Sequence, residues 1–228
     1  MRCNVAVVTP VDWTPVFLSL KTAAAATAIS FLLGIFAGRW RLTMRQGAGI
    51  FLDGVLMLPL ALPPTVVGLG LLLLFGRGSP VGELLGRFGA SIVFTWPAAV
   101  IAATVMALPI MYQSTRAAFA QLDTCLLDTA RIFGFSEMRL LWQVMLPLAW
   151  PGVAAGTVLT FLRALGEFGA TLMIAGNIPG KTQTVPMAIF FAAEAGERHA
   201  PLIWATVVCI IAISVICAVN QLSRRFDQ

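Results

Sequence analysis

Long apolar runs alternate with short polar segments along nearly the whole chain. A run of about 20 apolar residues is long enough to cross a bilayer as a helix. The pattern predicts an all-α polytopic membrane bundle over residues 15–222, with about five spans at about 16–37, 53–75, 92–112, 151–175 and 202–222. The apolar stretch 185–193 is too short to span and is a candidate for a partly inserted helix.

The polar segment 116–150 lies between the third and fourth predicted spans and is amphipathic. Met138, Leu141, Trp142 and Met145 recur at helical spacing, which places them on one stripe. Such a helix suits docking in a groove on a partner protein. It equally suits lying on the lipid surface or packing on its own bundle, and the spacing leaves both readings open.

A turn is predicted in the middle of this segment. Gly134 interrupts the helical pattern, and Ser136 can cap a helix that follows. Pro147 is expected to end that second helix. The sequence therefore predicts two short helices around the turn Gly134-Phe135.

The second predicted span contains three prolines, Pro59, Pro63 and Pro64. Proline removes a backbone donor and frees a carbonyl, so a kinked or broken helix is expected. A packing kink is one explanation. A break that lines a transport pathway, with Thr65 beside it, is the other, and the prolines alone do not choose between them.

The fourth predicted span carries two ionisable residues, Arg163 and Glu167, four positions apart on one helical face. Because charges inside a membrane are costly, they are expected to face the bundle interior or water and to pair. The pair either locks the bundle or gates an anion pathway. Upstream, Gly152 and Gly156 permit close approach of another helix.

Composition narrows the class of protein. The 228 residues are 59% hydrophobic and only 11% charged, which leaves no room for a separate soluble catalytic domain. No P-loop or nucleophile–base arrangement occurs, and the single histidine, His199, has no nearby Cys or second His to share a metal. We therefore expect no catalytic residue, no metal site and no bound cofactor. The net charge of +5 comes from scattered Arg residues and does not indicate nucleic-acid binding.

Charge at the span ends predicts the orientation. Arg39, Arg41 and Arg45 follow the first span in what is expected to be a short loop, which places that loop in the cytoplasm. The N-terminus is then outside and the C-terminus inside. Trp96 and Tyr112, near the ends of the third span, are expected to be interfacial aromatics.

The polar segment 116–150 resembles a known motif. Ala130, Gly134 and the Leu-Pro pair at 146–147 are similar to the "EAA" loop of ABC importer permeases, which docks on the ATP-hydrolysing subunit. Asp128 keeps the acidic charge of the motif, while Thr129 replaces its following Ala.

A second resemblance is more specific. Arg163 to Thr171 (RALGEFGAT), Asn177 to Gly180 (NIPG) and Thr184 to Pro186 (TVP) are similar to the molybdate ABC transporter permeases, and sulfate permeases share part of the pattern. The likeness covers about residues 15–222. It implies a type I ABC importer permease of the bacterial cytoplasmic membrane, which carries molybdate or, as alternatives, tungstate or sulfate. A stand-alone secondary transporter is a weaker alternative.

The resemblance also implies partners and sites. The partners are a second copy of this chain, two cytoplasmic ATPase subunits that use ATP-Mg, a molybdate-binding protein outside, and the lipid bilayer. The residues expected to dock the ATPase are Asp128, Ala130, Arg131, Gly134, Phe135, Met138, Leu141 and Trp142. The residues expected to line or gate the translocation path are Pro63, Pro64, Thr65, Arg163, Glu167 and Gly169.

Overall fold

The computed structural model describes residues 12–226, which contain helices and no strand. The predicted all-α class is therefore confirmed, and the N-terminal residues 1–11 lie outside the described part. The helices are α1 (Thr14–Thr43), α2 (Gln46–Ala61), α3 (Pro64–Phe75), α4 (Pro80–Arg87), α5 (Trp96–Ala120), α6 (Thr124–Ile132), α7 (Glu137–Leu140), α8 (Leu146–Leu148), α9 (Trp150–Leu165), α10 (Gly169–Ala175), α11 (Val185–Glu194) and α12 (His199–Phe226). A π turn, Leu141–Met145, joins α7 to α8.

Three helices, α1, α5 and α12, are each long and apolar enough to cross a membrane. Up to five spans result if two sharply bent pairs, α2 with α3 and Glu137–Leu148 with α9, each count as one. Helices α1, α5 and α9 form the centre of the bundle. The predicted close approach on α9 is confirmed, because a Cβ at Gly152 would lie 2.8 Å from the Cβ of Ala118 on α5. The stretch 185–193 is helical as predicted, within α11.

The arginine cluster after the first span differs from the prediction. Arg39 and Arg41 lie in the last turns of α1 and not in a loop, because the helix continues to Thr43 before extended Met44 ends it. Arg45 alone precedes α2. Both α1 arginines therefore have a rigid backbone, which holds their side chains against neighbouring helices.

The predicted break in the second span is confirmed. Leu62 is extended, as expected of a residue that precedes proline, and Pro64 then opens α3. The axes of α2 and α3 are inclined at 111°, far more than a packing kink. Because α2 begins at Gln46, Asp53 lies inside a helix and not at the beginning of a span as predicted.

The fourth predicted span contains a break that the sequence reasoning missed. Helix α9 ends at Leu165, and α10 begins only at Gly169. Phe168 has a non-helical backbone, with φ −128° and ψ −61°. Gly166 and Gly169 indicate this break in the sequence, because glycine destabilises the interior of a helix.

Candidate functional site

The segment between α5 and α9 folds into a helical hairpin, residues 124–148, as predicted. Asp123 caps α6 by accepting from the Cys125 amide at 2.8 Å, and Ser136 caps α7 by accepting from the Arg139 amide at 3.3 Å. Gly134 makes the turn with φ +81°, a conformation that favours glycine. Nothing lies within 4 Å of the place where its Cβ would be, so the turn is open on its outer side.

Pro147 does not end the second helix of the hairpin. Proline lacks the N–H that would bond the carbonyl four residues earlier in a regular α-helix. In this chain the turn before Pro147, Leu141–Met145, is instead a π turn, whose hydrogen bonds span five residues. The helix therefore continues to Leu148 before the chain bends by 83° into α9. The helix thus ends one residue beyond Pro147, because a π turn is not the regular α-helix that the prediction assumed.

The predicted apolar stripe of the hairpin divides between two surfaces. Leu141 and Met145 are buried in a cluster with Ile35 of α1. Met138 and Trp142 instead lie on the surface, with exposed fractions of 54% and 40%. One half of the stripe holds the hairpin on the bundle, and the other half is partly exposed.

Two further apolar side chains extend the exposed surface. Ile132 and Phe133, at the end of α6, have exposed fractions of 84% and 78%. Sequence reasoning missed both because a helix end has no periodic pattern to mark them. At the same hairpin, the end of α1 and the beginning of α7 form a groove of about 260 Å³, lined by Phe36, Arg39, Trp40, Thr43, Glu137, Met138 and Leu141.

Charged residues connect the two arms of the hairpin. Arg131 donates to Asp128 at 2.6 Å and to Glu137 at 3.0 Å, and Arg39 of α1 also pairs with Glu137. The hydrogen bond from Arg131 and the charge of Arg39 lower the pKa of the Glu137 carboxyl, against the opposite effect of desolvation. Asp128 and Arg131, both predicted docking residues, therefore form ion pairs within the hairpin itself.

The remaining predicted docking residues lie in the same hairpin. Ala130 is half-buried and packs against the cluster under the hairpin. Phe135 is half-buried in the turn, with the Arg139 guanidinium carbon 5.1 Å from its ring centroid. All eight predicted docking residues thus belong to one compact unit.

The structure brings the two helix breaks together. A Cβ at Gly169, in the first turn of α10, would lie 3.0 Å from the Cβ of Pro64 and 3.6 Å from the Thr65 nitrogen. One turn along α3, a Cβ at Gly68 would lie 2.8 Å from the Cα of Ala170. We call Pro63, Pro64, Arg163, Glu167 and Gly169 the helix-break site.

The predicted pair of ionisable residues forms within this site. Arg163 donates to Glu167 at 2.6 Å, and the other carboxylate oxygen of Glu167 accepts from the Ala170 amide at 3.0 Å. The Glu167 side chain is 2% exposed, whereas that of Arg163 is 26% exposed. Glu167 therefore holds Arg163 and caps α10 at once, which leaves Arg163 as the charge nearer to solvent.

A separate group of polar residues was not predicted. Asp53 of α2 accepts from Arg41 of α1 at 3.0 Å and pairs with Arg116 of α5 at 3.1 Å. Tyr112 of α5 also donates to Asp53. Tyr112 is 1% exposed, so its prediction as an interfacial aromatic is wrong. We call Arg41, Asp53, Tyr112 and Arg116 the polar cluster.

A bundle of apolar helices, with a polar helical hairpin and two adjoining helix breaks, is typical of a membrane transport protein. Residues 30–226 match the model of the family described as binding-protein-dependent transport system inner membrane component, and the chain belongs to this family. Residues 12–226 bring no three of His, Cys, Asp or Glu together in a group that could hold a metal ion.

Two relatives are similar to the chain in sequence, and one solved structure is similar in fold. YvgM of Bacillus subtilis (strain 168), provisionally named as a molybdenum transport system permease protein, is 45% identical over 203 residues, covering 89% of this chain and 88% of YvgM. The molybdenum transport system permease protein ModB of Escherichia coli (strain K12) is 41% identical over 213 residues, covering 92% and 90%. A chain of the inward-facing MetNI methionine ABC transporter has a TM-score of 0.73 at 18% identity, covering 96% of this chain and 99% of that one, and shows the same fold.

Proposed function

We propose that this chain is the membrane subunit of an ATP-driven importer of molybdate. The observation that carries the proposal is its likeness to named molybdenum permeases over about nine-tenths of both chains. The exposed apolar surface of the hairpin agrees with it, because exposed apolar patches commonly mark a surface that a partner protein covers. The chain lies in the bacterial cytoplasmic membrane, and two copies form the path between them.

In this proposal the hairpin is the docking site for the ATPase subunit. Ile132, Phe133, Met138 and Trp142 supply an apolar surface that a groove on the partner covers. ATP-Mg is bound and hydrolysed by two such partner subunits, and this chain holds no cofactor and catalyses no reaction. A binding protein delivers the oxyanion to the outer side.

The helix-break site is the proposed gate of the translocation path. The breaks at Pro63-Pro64 and at Glu167 place irregular backbone inside the bundle, as transporters do where a substrate passes. Arg163 supplies positive potential for an oxyanion, and Glu167 restrains it. When ATP draws the ATPase subunits together, the hairpins follow, and the spans rock between inward-open and outward-open states.

The proposed docking surface is tested at the turn of the hairpin. Gly134→Glu adds a charged side chain to the open outer side of the turn and strains a backbone with φ +81°. We expect loss of ATPase co-purification while the chain still inserts in the membrane. The matched control is Gly196→Glu between α11 and α12, since Gly196 also has φ +81° and open space around it. Equal ATPase recovery from both variants would contradict docking through the hairpin.

The proposed orientation places the hairpin in the cytoplasm, the N-terminus outside and the C-terminus inside. A cysteine introduced at the exposed Ser136 tests this in a background without the native cysteines. We expect a membrane-impermeant thiol reagent to label it in inside-out vesicles and not in intact cells. Labelling from outside intact cells would reverse the topology and remove the basis for ATPase docking.

The proposed substrate is tested by isotopic uptake in vesicles that contain the permease, its ATPase and its binding protein. Molybdate uptake that requires ATP is the expected result. Competition by tungstate and by sulfate then ranks the three oxyanions, and preferential sulfate uptake would replace molybdate with sulfate as the substrate. Uptake without the ATPase would instead favour a stand-alone transporter.

A further inference from the structure

The polar cluster connects three helices at the same end of α1 that contacts the hairpin. Arg39 and Arg41 are two residues apart on α1, so their side chains leave the helix in different directions. Arg39 pairs with Glu137 of the hairpin, and Arg41 pairs with Asp53 of α2. The end of α1 therefore contacts the hairpin with one arginine and the broken helix pair with the other.

Helix α2 has only partial apolar contact with the bundle, through half-buried side chains such as Leu52 and Leu56. Gly49 is its only buried residue, and its apolar side chains Ile50, Phe51, Val55 and Leu58 are exposed. Gly49 itself contacts the guanidinium of Arg41, which crosses the helix there to reach Asp53 one turn later. The polar cluster thus attaches α2 to both α1 and α5 through ion pairs and a hydrogen bond.

The three partners of Asp53 make this attachment directional. Arg41 donates a hydrogen bond to one carboxylate oxygen of Asp53, and Arg116 and Tyr112 of α5 contact the other oxygen. The side chains of Asp53 and Arg41 are only 21% and 16% exposed, so water screens their attraction incompletely. Any displacement of the end of α1 is therefore transmitted to α2.

The other end of α2 leads directly into the helix-break site. Only Leu62 and Pro63 separate α2 from α3, whose first turn contacts Gly169. A shift of α2 must consequently alter the angle at the break or move α3 against α10. The connection runs from the hairpin through α1, the polar cluster and α2 to the helix-break site.

We propose that Asp53 is a positioning residue that couples movement of the hairpin to the helix-break site. It contacts neither ATP nor the transported anion, and it acts through Arg41 and the position of α2. This inference rests on the proposed function, because it requires an ATPase that moves the hairpin. It adds to that function the residue through which the movement reaches the gate.

The test measures ATP hydrolysis and molybdate uptake together in liposomes that contain the complete transporter. In Asp53→Asn we expect hydrolysis stimulated by the binding protein to persist, while molybdate transported per ATP falls by about tenfold. Asp53→Glu keeps the charge and is expected to restore most of the ratio. The matched control is Glu194→Gln, which neutralises an exposed carboxylate at the end of α11 that makes no ion pair among the side chains that the structure describes.

A purely structural role predicts a different result. Hydrolysis and uptake would then fall in proportion in Asp53→Asn, with an unchanged ratio, and that outcome overturns the proposal. If Asp53→Asn does not fold, Tyr112→Phe serves instead, since it removes one donor to Asp53 and is expected to lower the ratio by about threefold. An unchanged ratio in Tyr112→Phe also overturns the proposal.

Uptake by the wild-type transporter distinguishes failure of the proposed function from failure of the proposed role of Asp53. Absence of ATP-dependent molybdate uptake by the wild type contradicts the proposed function, whatever the variants do. Normal wild-type uptake with an unchanged ratio in the variants contradicts only the role of Asp53.

Discussion

Two glutamates that each pair with arginine lie in opposite environments. Glu137 of the hairpin has a 60% exposed side chain and two arginine partners, whereas Glu167 of the helix-break site has a 2% exposed side chain and one. Surface ion pairs stabilise a protein little, because water solvates the separated charges almost as well. In a buried pair, removal of one partner leaves the other charge without solvation. The comparison predicts that the surroundings of a glutamate affect stability more than the number of its partners.

The same contrast holds for the glycines of the two regions. Gly134 is needed for its positive φ, and the space beside it is open. Gly68 and Gly169 have no such φ and are needed because α3 and α10 approach too closely for a side chain. The hairpin turn is therefore open on its outer side, whereas α3 and α10 occupy the space beside the glycines of the helix-break site.

The largest expected effect comes from Glu167→Ala. It removes the partner of Arg163 and the acceptor of the Ala170 amide, so we expect a loss of about 2–3 kcal/mol in the free energy of unfolding. Glu167→Gln should cost less, since its amide oxygen can still accept from Ala170. The midpoint of thermal unfolding in detergent measures both. If Glu137→Ala destabilises the protein as much as Glu167→Ala, burial does not decide the difference.

A smaller effect is expected where α3 meets α10. Gly68→Leu places a side chain against the backbone of Ala170 and the Cβ of Met173, and overpacking of this kind costs about 1–3 kcal/mol. Gly70→Leu is the matched control, because Gly70 lies in the same helix with nothing within 4 Å of its Cβ position. Equal unfolding midpoints for the two variants would show that the helix breaks do not touch.

The smallest effect is expected at Glu137. Glu137→Gln should lower the free energy of unfolding by less than about 1 kcal/mol, since the carboxylate is well exposed. Its pKa is lowered in the folded protein, so its contribution is present at neutral pH and is lost as the pH falls through the lowered value. Unfolding midpoints of wild type and variant should therefore converge in acid. A difference that persists in acid would mean that Glu137 stabilises the hairpin through packing and not through charge.

The positions of the main features were predictable from local sequence. The break at Leu62-Pro63 followed from proline, whose effect on the preceding residue needs no tertiary contact. The turn at Gly134 and the cap at Ser136 are equally local. The pairing of Arg163 with Glu167 was predicted from a spacing of four on one helix; the pair forms although α9 ends at Leu165 and Glu167 lies in the break. The missed break before Gly169 had a local signal in its glycines, but the apolar run around it concealed that signal.

The long-range features were not predictable in this way. Helical spacing placed Met138, Leu141 and Trp142 on one stripe, but it could not say which part of that stripe the bundle would cover. Asp53 and Tyr112 are separated by 59 positions, and nothing near either residue indicates the other. For this reason the sequence did not predict that Tyr112 is buried against Asp53.

The sequence alone determined the helical class, the apolar character of the spans, the break marked by proline, and the motifs that relate the chain to its family. Only the tertiary structure decided that the two breaks meet at Pro64 and Gly169, that half of the hairpin stripe is buried, and that Asp53 joins three helices. The physical reason is that backbone preferences act within a few residues. Contacts between distant helices depend instead on the angles at which those helices are bent and packed.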